Sequence, residues 1–130
     1  SYARKNGFVR KFSQIKHVLG NVDLNFDKLM KAKRDRFKKA IDKGQLEMSI
    51  AVKFSHNDYD LVAGNTRISG GHKHGIDNEI WVIDMAQYYI DNPDEIPEGS
   101  TEEEIGIDQE YLEYLKNLEM LREAENTNEK

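Results

Sequence analysis

Along the first twenty residues, Phe8, Phe12, Ile15, Val18 and Leu19 recur at helical spacing, with Arg10, Lys11 and Lys16 on other faces. This predicts a first helix, stopped by Gly20-Asn21. A second helix is expected from about Asp27 to Lys43, with an apolar stripe of Met30, Phe37, Ala40 and Ile41 and with Gly44 as its C-terminal cap. LEMSIAVKF then changes the period to two. Met48, Ile50, Val52 and Phe54 alternate with Ser49, Ala51 and Lys53, which predicts a strand burying its larger residues on one face. Ser55-His56-Asn57-Asp58 reads as a turn and YDLVA as the returning strand of a hairpin. Gly64-Asn65-Thr66-Arg67, ISGGHKH, Gly75 and EIWVIDM follow as turn, short helix and strand. That order predicts a βαβ unit, with parallel strands and a right-handed crossover. After Met85, AQYYIDNPDEIPEGS reads as a helical turn and a loop broken by Pro93, Pro97 and Gly99. Asp108 should cap a last helix carrying Tyr111, Leu112, Leu115, Leu118 and Leu121, with ENTNEK fraying at its end.

The fold class expected from this pattern is α/β of the α+β kind. Strands at about 48–54, 59–63 and 79–84 form one mixed sheet with a β-hairpin and a βαβ unit, flanked by N- and C-terminal helices. The expected organisation is an N-terminal helix over residues 1–25, a core over 26–90, and an acidic loop and helix over 91–130. A length of 130 residues suits one such domain.

Composition adds exclusions. The sequence has no Cys, which removes disulfides, thiolate catalysis and Cys-ligated zinc, and a reducing cytoplasm is the natural setting. No apolar run reaches the length of a membrane-spanning helix, so no membrane partner is expected. SYARKNGF lacks the apolar stretch of a secretory signal, and Ser rather than Met stands first, as in an excised piece of a longer chain. The net charge of −5 hides a split: residues 1–53 carry 14 Lys/Arg against 5 Asp/Glu, and residues 54–130 carry 5 against 19. Either the basic half contacts nucleic acid, or the two halves neutralise one another within one fold.

The Gly64–Arg67 turn is the strongest candidate for chemistry. It stands where a strand delivers the chain to a helix N-terminus, whose first N–H groups lack intrahelical partners and whose dipole favours an anion. Gly64 permits close backbone approach, Thr66 offers a hydroxyl, and Arg67 can grip a phosphate bidentately. The competing reading is a capped turn whose Arg pairs with a nearby carboxylate.

YDLVAGNTRISGGHKHGIDNEIWVID resembles the core of the ParB/sulfiredoxin-like superfamily, in which a strand, G-x-x-R, a helix, a Gly and another strand follow in order. LEMSIAVKF resembles the strand before it, and the GNTR form is similar to that of small ParB-like, nuclease-domain proteins of bacteriophages. The resemblance covers roughly residues 35–85. It implies that Gly64, Asn65, Thr66 and Arg67 bind nucleotide phosphates, with ATP or CTP as the ligand, in the host cytoplasm if the chain is phage-encoded. Three departures narrow it. The catalytic Cys of sulfiredoxins is absent, so sulfinic-acid reduction is excluded. The chain after Met85 is too short for the DNA-binding and dimerisation domains of partition proteins. Gly70 and Gly71 stand where the family often carries Ala or larger residues, and they admit either a ligand or a neighbouring helix.

Other candidates are ranked behind the turn. Glu47, at the edge of the first strand, resembles the catalytic base of the serine-kinase branch and could deprotonate a hydroxyl attacking a phosphoryl group; its bland alternative is an exposed strand-end Glu. Asp58 and Asp60 on one strand face could hold Mg²⁺, although Asp58 also suits the turn. His72 stands within reach of a phosphate at Arg67, whereas an i, i+2 pair with His74 points apart and makes no metal site. Lys31, Lys33, Arg34 and Lys38, with Arg36 and Lys39, make a basic helix suited to nonspecific contact with a nucleic-acid backbone. Three functions follow: a nucleotide-binding, even phosphotransfer, domain; a ParB-like DNA-binding protein or nuclease; and a non-enzymatic phage adaptor that meets a protein partner through its C-terminal helix.

Overall fold

The hairpin forms where the alternation places it. In the computed structural model, which describes residues 7–97 and 106–128, β3 (Ser49–Ser55) pairs antiparallel with β4 (Asp58–Ala63). Ahead of the hairpin come β1 (Gly7–Lys11), α1 (Phe12–Ile15), β2 (Leu19–Gly20), a 3-10 turn (Phe26–Lys28) and α2 (Lys31–Asp42). After it come α3 (Asn65–His74), β5 (Glu79–Asp84), α4 (Met85–Asp91), a 3-10 turn (Pro93–Glu95) and α5 (Gln109–Asn128). Among the described residues the strands form one mixed five-stranded sheet in the order β1-β5-β3-β4-β2. No described helix is long and apolar enough to cross a membrane.

The N-terminal helix is not formed. Residues 7–11 instead pair antiparallel with β5, in a register that sets Gly7 opposite Ile83 and Lys11 opposite Glu79, and only Phe12–Ile15 are helical before β2 joins β4 in parallel. The residues of the expected stripe still reach the core: Phe12 and Ile15 are buried, with Phe8, Val18 and Leu19 packed beside them. A strand edge left open on β5 accepts them in extended form, and tertiary pairing overrides the local period. Residues 7–25 are therefore part of the sheet domain and not a separate helix.

The second correction concerns β3. Its buried face is Ser49 and Ala51, both fully buried, while Met48 and Ile50 are 41% and 38% exposed. Ala51 lies with Leu61, Tyr59, Ile80 and Val82 under Phe12, Ile15 and Ile68 of the helices. β3 is the central strand, and its small side chains let α3 approach, so the bulk of this core comes from the neighbouring strands.

The third correction is topological. β3 is parallel to β5 and antiparallel to β4, so β4 and β5 run in opposite directions and the expected parallel βαβ unit between them is absent. The chain leaves β4 and enters β5 at the same end of the sheet. The ten residues of α3, about 15 Å of helix, therefore cross the strand ends and bridge two strand spacings of about 4.8 Å each. The parallel partner of β5 is the strand that starts the hairpin.

Gly44 caps its helix as expected, and Gly75 does the same for α3. Gly44 and Gly75 take positive φ of 64° and 72° beyond α2 and α3. Asp108 caps α5, its carboxylate accepting from the amides of Glu110 at 2.8 Å and Tyr111 at 3.2 Å. The expected fraying falls partly beyond the described residues, since α5 continues to Asn128. At the far end of the sheet a second cluster, Ala86, Ile107, Tyr111 and Leu112 with Phe54, Tyr89, Ile90 and Leu115, docks α4 and α5.

Candidate functional site

Gly64 carries the chain from β4 into α3 with φ at 92°, a left-handed conformation that other residues rarely hold. A Cβ there would also stand 2.7 Å from the Cβ of Ser49. Ser49, fully buried, donates its hydroxyl to the Gly64 carbonyl at 2.9 Å, which fastens the turn to the first residue of β3. Asn65 accepts the Asp23 amide at 2.9 Å through its side-chain oxygen, and so ties the loop after β2 to the start of α3. Inside α3, Ser69 donates to the Thr66 carbonyl at 3.2 Å, and Asn78 donates to the Arg67 carbonyl. As N-cap of α3, Gly64 supplies no side-chain cap to the first-turn amides.

The turn opens on a groove of about 1080 Å³ between α2 and the β4 end of the sheet, lined by Gly64, Asn65, Thr66 and Arg67 together with Lys33, Arg36, Lys39 and Lys43. Leu29, Phe37, Leu46, Leu61 and Val62 supply apolar wall, and Asp23 and Glu47 are the acids in the lining. At about 100° per residue, Lys33, Arg36, Lys39 and Lys43 fall within roughly a third of the circumference of α2. Lys31, Arg34 and Lys38 share another arc, separated from the first by buried Phe37.

This geometry sorts the expected site residues. Gly64, Asn65, Thr66, Arg67, Glu47 and Lys33 come together. Arg67 donates to the Met48 carbonyl at 2.8 Å and meets the Glu47 carboxylate at 3.3 Å, with a third of its side chain exposed. Lys31, Arg34 and Lys38 are not in the groove. Arg34 instead donates to the Asp27 carbonyl at 3.2 Å, and the Asp27 carboxyl is held below its usual range chiefly by the Lys73 hydrogen bond, with the charges of Lys73, Arg34 and Lys38 adding. His72 is also elsewhere: its ring meets Phe12 edge-on, with centroids 6.5 Å apart, on the α1 side of α3. Asp58 opens β4 at the hairpin, the strand end opposite Gly64, so Asp58 and Asp60 do not join the turn as a pair. Gly70 and Gly71 admit protein neighbours: a Cβ at Gly70 would stand 2.6 Å from the Phe37 ring, and one at Gly71 would collide with Asn78.

Ser49, Lys43 and the Asn21–Asp23 loop are the additions that sequence reading did not single out. The spacing of Lys43, four residues after Lys39, was a usable signal; the role of Ser49 depends on strand pairing and had none. Among known proteins, no family model, no curated protein and no solved structure matches the chain.

Proposed function

We propose that the groove between α2 and the Gly64–Arg67 turn binds a phosphorylated ligand, and that the ligand is a nucleotide. The observation that carries this reading is that Lys33, Arg36, Lys39 and Lys43 line one groove together with Arg67 and the first turn of α3. Cations and unpaired amides together favour phosphate oxygens, and the apolar wall offers a surface for the rest of the ligand. The resemblance of the GNTR turn to the ParB/sulfiredoxin-like superfamily supports the same reading and names ATP and CTP as the ligands to try. Mg²⁺ would arrive on the nucleotide phosphates, since among the described residues no three acidic or histidine side chains gather as a metal ion needs.

Calorimetry with ATP and CTP on the wild-type chain and on Arg67→Ala tests it. Loss of a charge-assisted hydrogen bond of about 1.5–3 kcal/mol corresponds to an affinity lower by about ten- to a hundredfold. Lys43→Ala should lose less, because it supplies charge without a forked contact. Equal affinity in wild type and Arg67→Ala, or no binding of either nucleotide at low salt, overturns the reading.

A second reading is favoured by the length of the cation row. Lys33 to Lys43 spans about 15 Å of α2, room for several phosphates of a strand at about 3.4 Å rise each. A single-stranded oligonucleotide would then outcompete the mononucleotides, with a log–log salt slope of about −0.7 per phosphate contacted.

A further inference from the structure

Two acids line the groove, and they are placed differently. The Asp23 carboxylate already accepts the Asn25 amide at 2.9 Å and shapes its own loop. Glu47 lies on the segment between α2 and β3 with its side chain 82% exposed, and its carboxylate meets Arg67 at 3.3 Å. That distance is long for a charged pair, which is normally about 2.7–2.9 Å. The same guanidinium makes a shorter bond, 2.8 Å, to the neighbouring Met48 carbonyl. Arg67 is thus held in place by the backbone, while a loosely attached carboxylate covers one of its outward donors.

The geometry points to Glu47 as a built-in competitor that an anion must displace from Arg67. Glu47 occupies the Arg67 donor that a phosphoryl oxygen takes on binding, and a ligand must displace it. A singly or doubly charged anion gains little over the carboxylate it replaces. A diphosphate or triphosphate reaches the Lys33–Lys43 row at the same time, and this added attraction offsets both the lost pair and the repulsion from Glu47. The lysine row therefore favours chained phosphates, while Glu47 lowers the affinity of every anion that takes the Arg67 donor. This inference rests on the phosphate reading of the groove.

Its test uses inorganic phosphate, pyrophosphate and tripolyphosphate as probes, by calorimetry at low salt, on wild type, Glu47→Gln, Arg67→Ala and the double variant. Glu47→Gln keeps the size of the side chain and removes its charge. It should tighten inorganic phosphate about three- to tenfold and tripolyphosphate at least as much, since the row's attraction is the same in both proteins and the repulsion removed grows with ligand charge. In the Arg67→Ala background the gain for phosphate should shrink, because the displaced donor is gone. Unchanged unfolding temperatures across the set show that the groove is intact. Wild type that binds tripolyphosphate while Glu47→Gln shows equal or weaker phosphate affinity overturns the role of Glu47 and leaves the groove reading standing. Absence of binding by every variant overturns both.

Discussion

At position 70 there is room for a hydrogen and nothing larger, because the ring of Phe37 fills the space where a Cβ would go. Alanine is favoured over Gly by about 1 kcal/mol in a helix interior, yet overpacking costs about 1–3 kcal/mol. Gly70→Ala should therefore lower stability, and the unfolding temperature should drop by several degrees in a thermal scan. Gly44→Ala makes a useful contrast: a Cβ there meets nothing within 4 Å, and only the positive φ of 64° opposes it, at about 1–2 kcal/mol. Both glycines stand out in the sequence, but only one could be explained from it. Gly44 closes a helix by a local rule, whereas Gly70 answers to a ring that lies 33 positions earlier in the chain (70 − 37). Gly64 belongs to both kinds, since its backbone turn is local and its closeness to Ser49 is not.

At the scale of elements, Phe37 joins α2 to α3 and keeps the cation row against the turn. Phe37→Ala should cost about 3–5 kcal/mol and weaken the proposed nucleotide binding as α2 loosens; urea unfolding and calorimetry on the same preparation would show both. At the other end of the sheet, α5 is fastened where the Tyr111 hydroxyl donates to buried Asp84, whose carboxylate also accepts the Gln87 amide at 3.0 Å. Lys53 stands over the Tyr111 ring at 4.9 Å and the Tyr59 ring at 5.5 Å, its pKa lowered chiefly by burial. Burial first, and then the bond to Asp84, raises the Tyr111 pKa far above its usual value. The folded state thus keeps Tyr111 protonated where the unfolded chain releases its proton. The stability gained is complete below about pH 10 and is lost as pH rises from there toward the folded value. Tyr111→Phe should be less stable by about 1–3 kcal/mol at pH 7, and the gap to wild type should narrow above pH 10 in paired urea titrations. The cap of α5 and the hairpin were legible because capping residues and period-two runs act over a few positions. The inverted face of β3, the strand at residues 7–11 and the direction of β5 were not, because each is decided by which strand lies alongside.

Across the whole molecule, the two ends of β3 carry opposite charge. Ser49 starts the strand beside the Gly64 turn and the basic α2, while His56, just beyond its last residue, stacks edge-on against Tyr111 of the acidic α5 with centroids 4.7 Å apart. The basic α2 packs on α3 and the acidic α5 on α4, so among the described residues these two helices lie against different partners. A cation-exchange resin at pH 7 and low salt should therefore retain the protein despite its negative net charge, and reversing Lys33, Arg36 and Lys39 together should abolish retention. Raising the salt to about 0.15 M, where the Debye length is about 8 Å, should release the wild type. The order of the strands also implies an order in time. β3 and β4 meet across a four-residue turn, whereas β1 waits for β5, its Gly7 pairing with Ile83. Closing that long loop sacrifices chain entropy before any contact repays it, so the hairpin should form early and β1 should dock last. In native-state hydrogen exchange the amides of Phe8 and Arg10 should open at lower free energy than those of Ala51 and Leu61, and the edge of the sheet would be the first part of the molecule to let go.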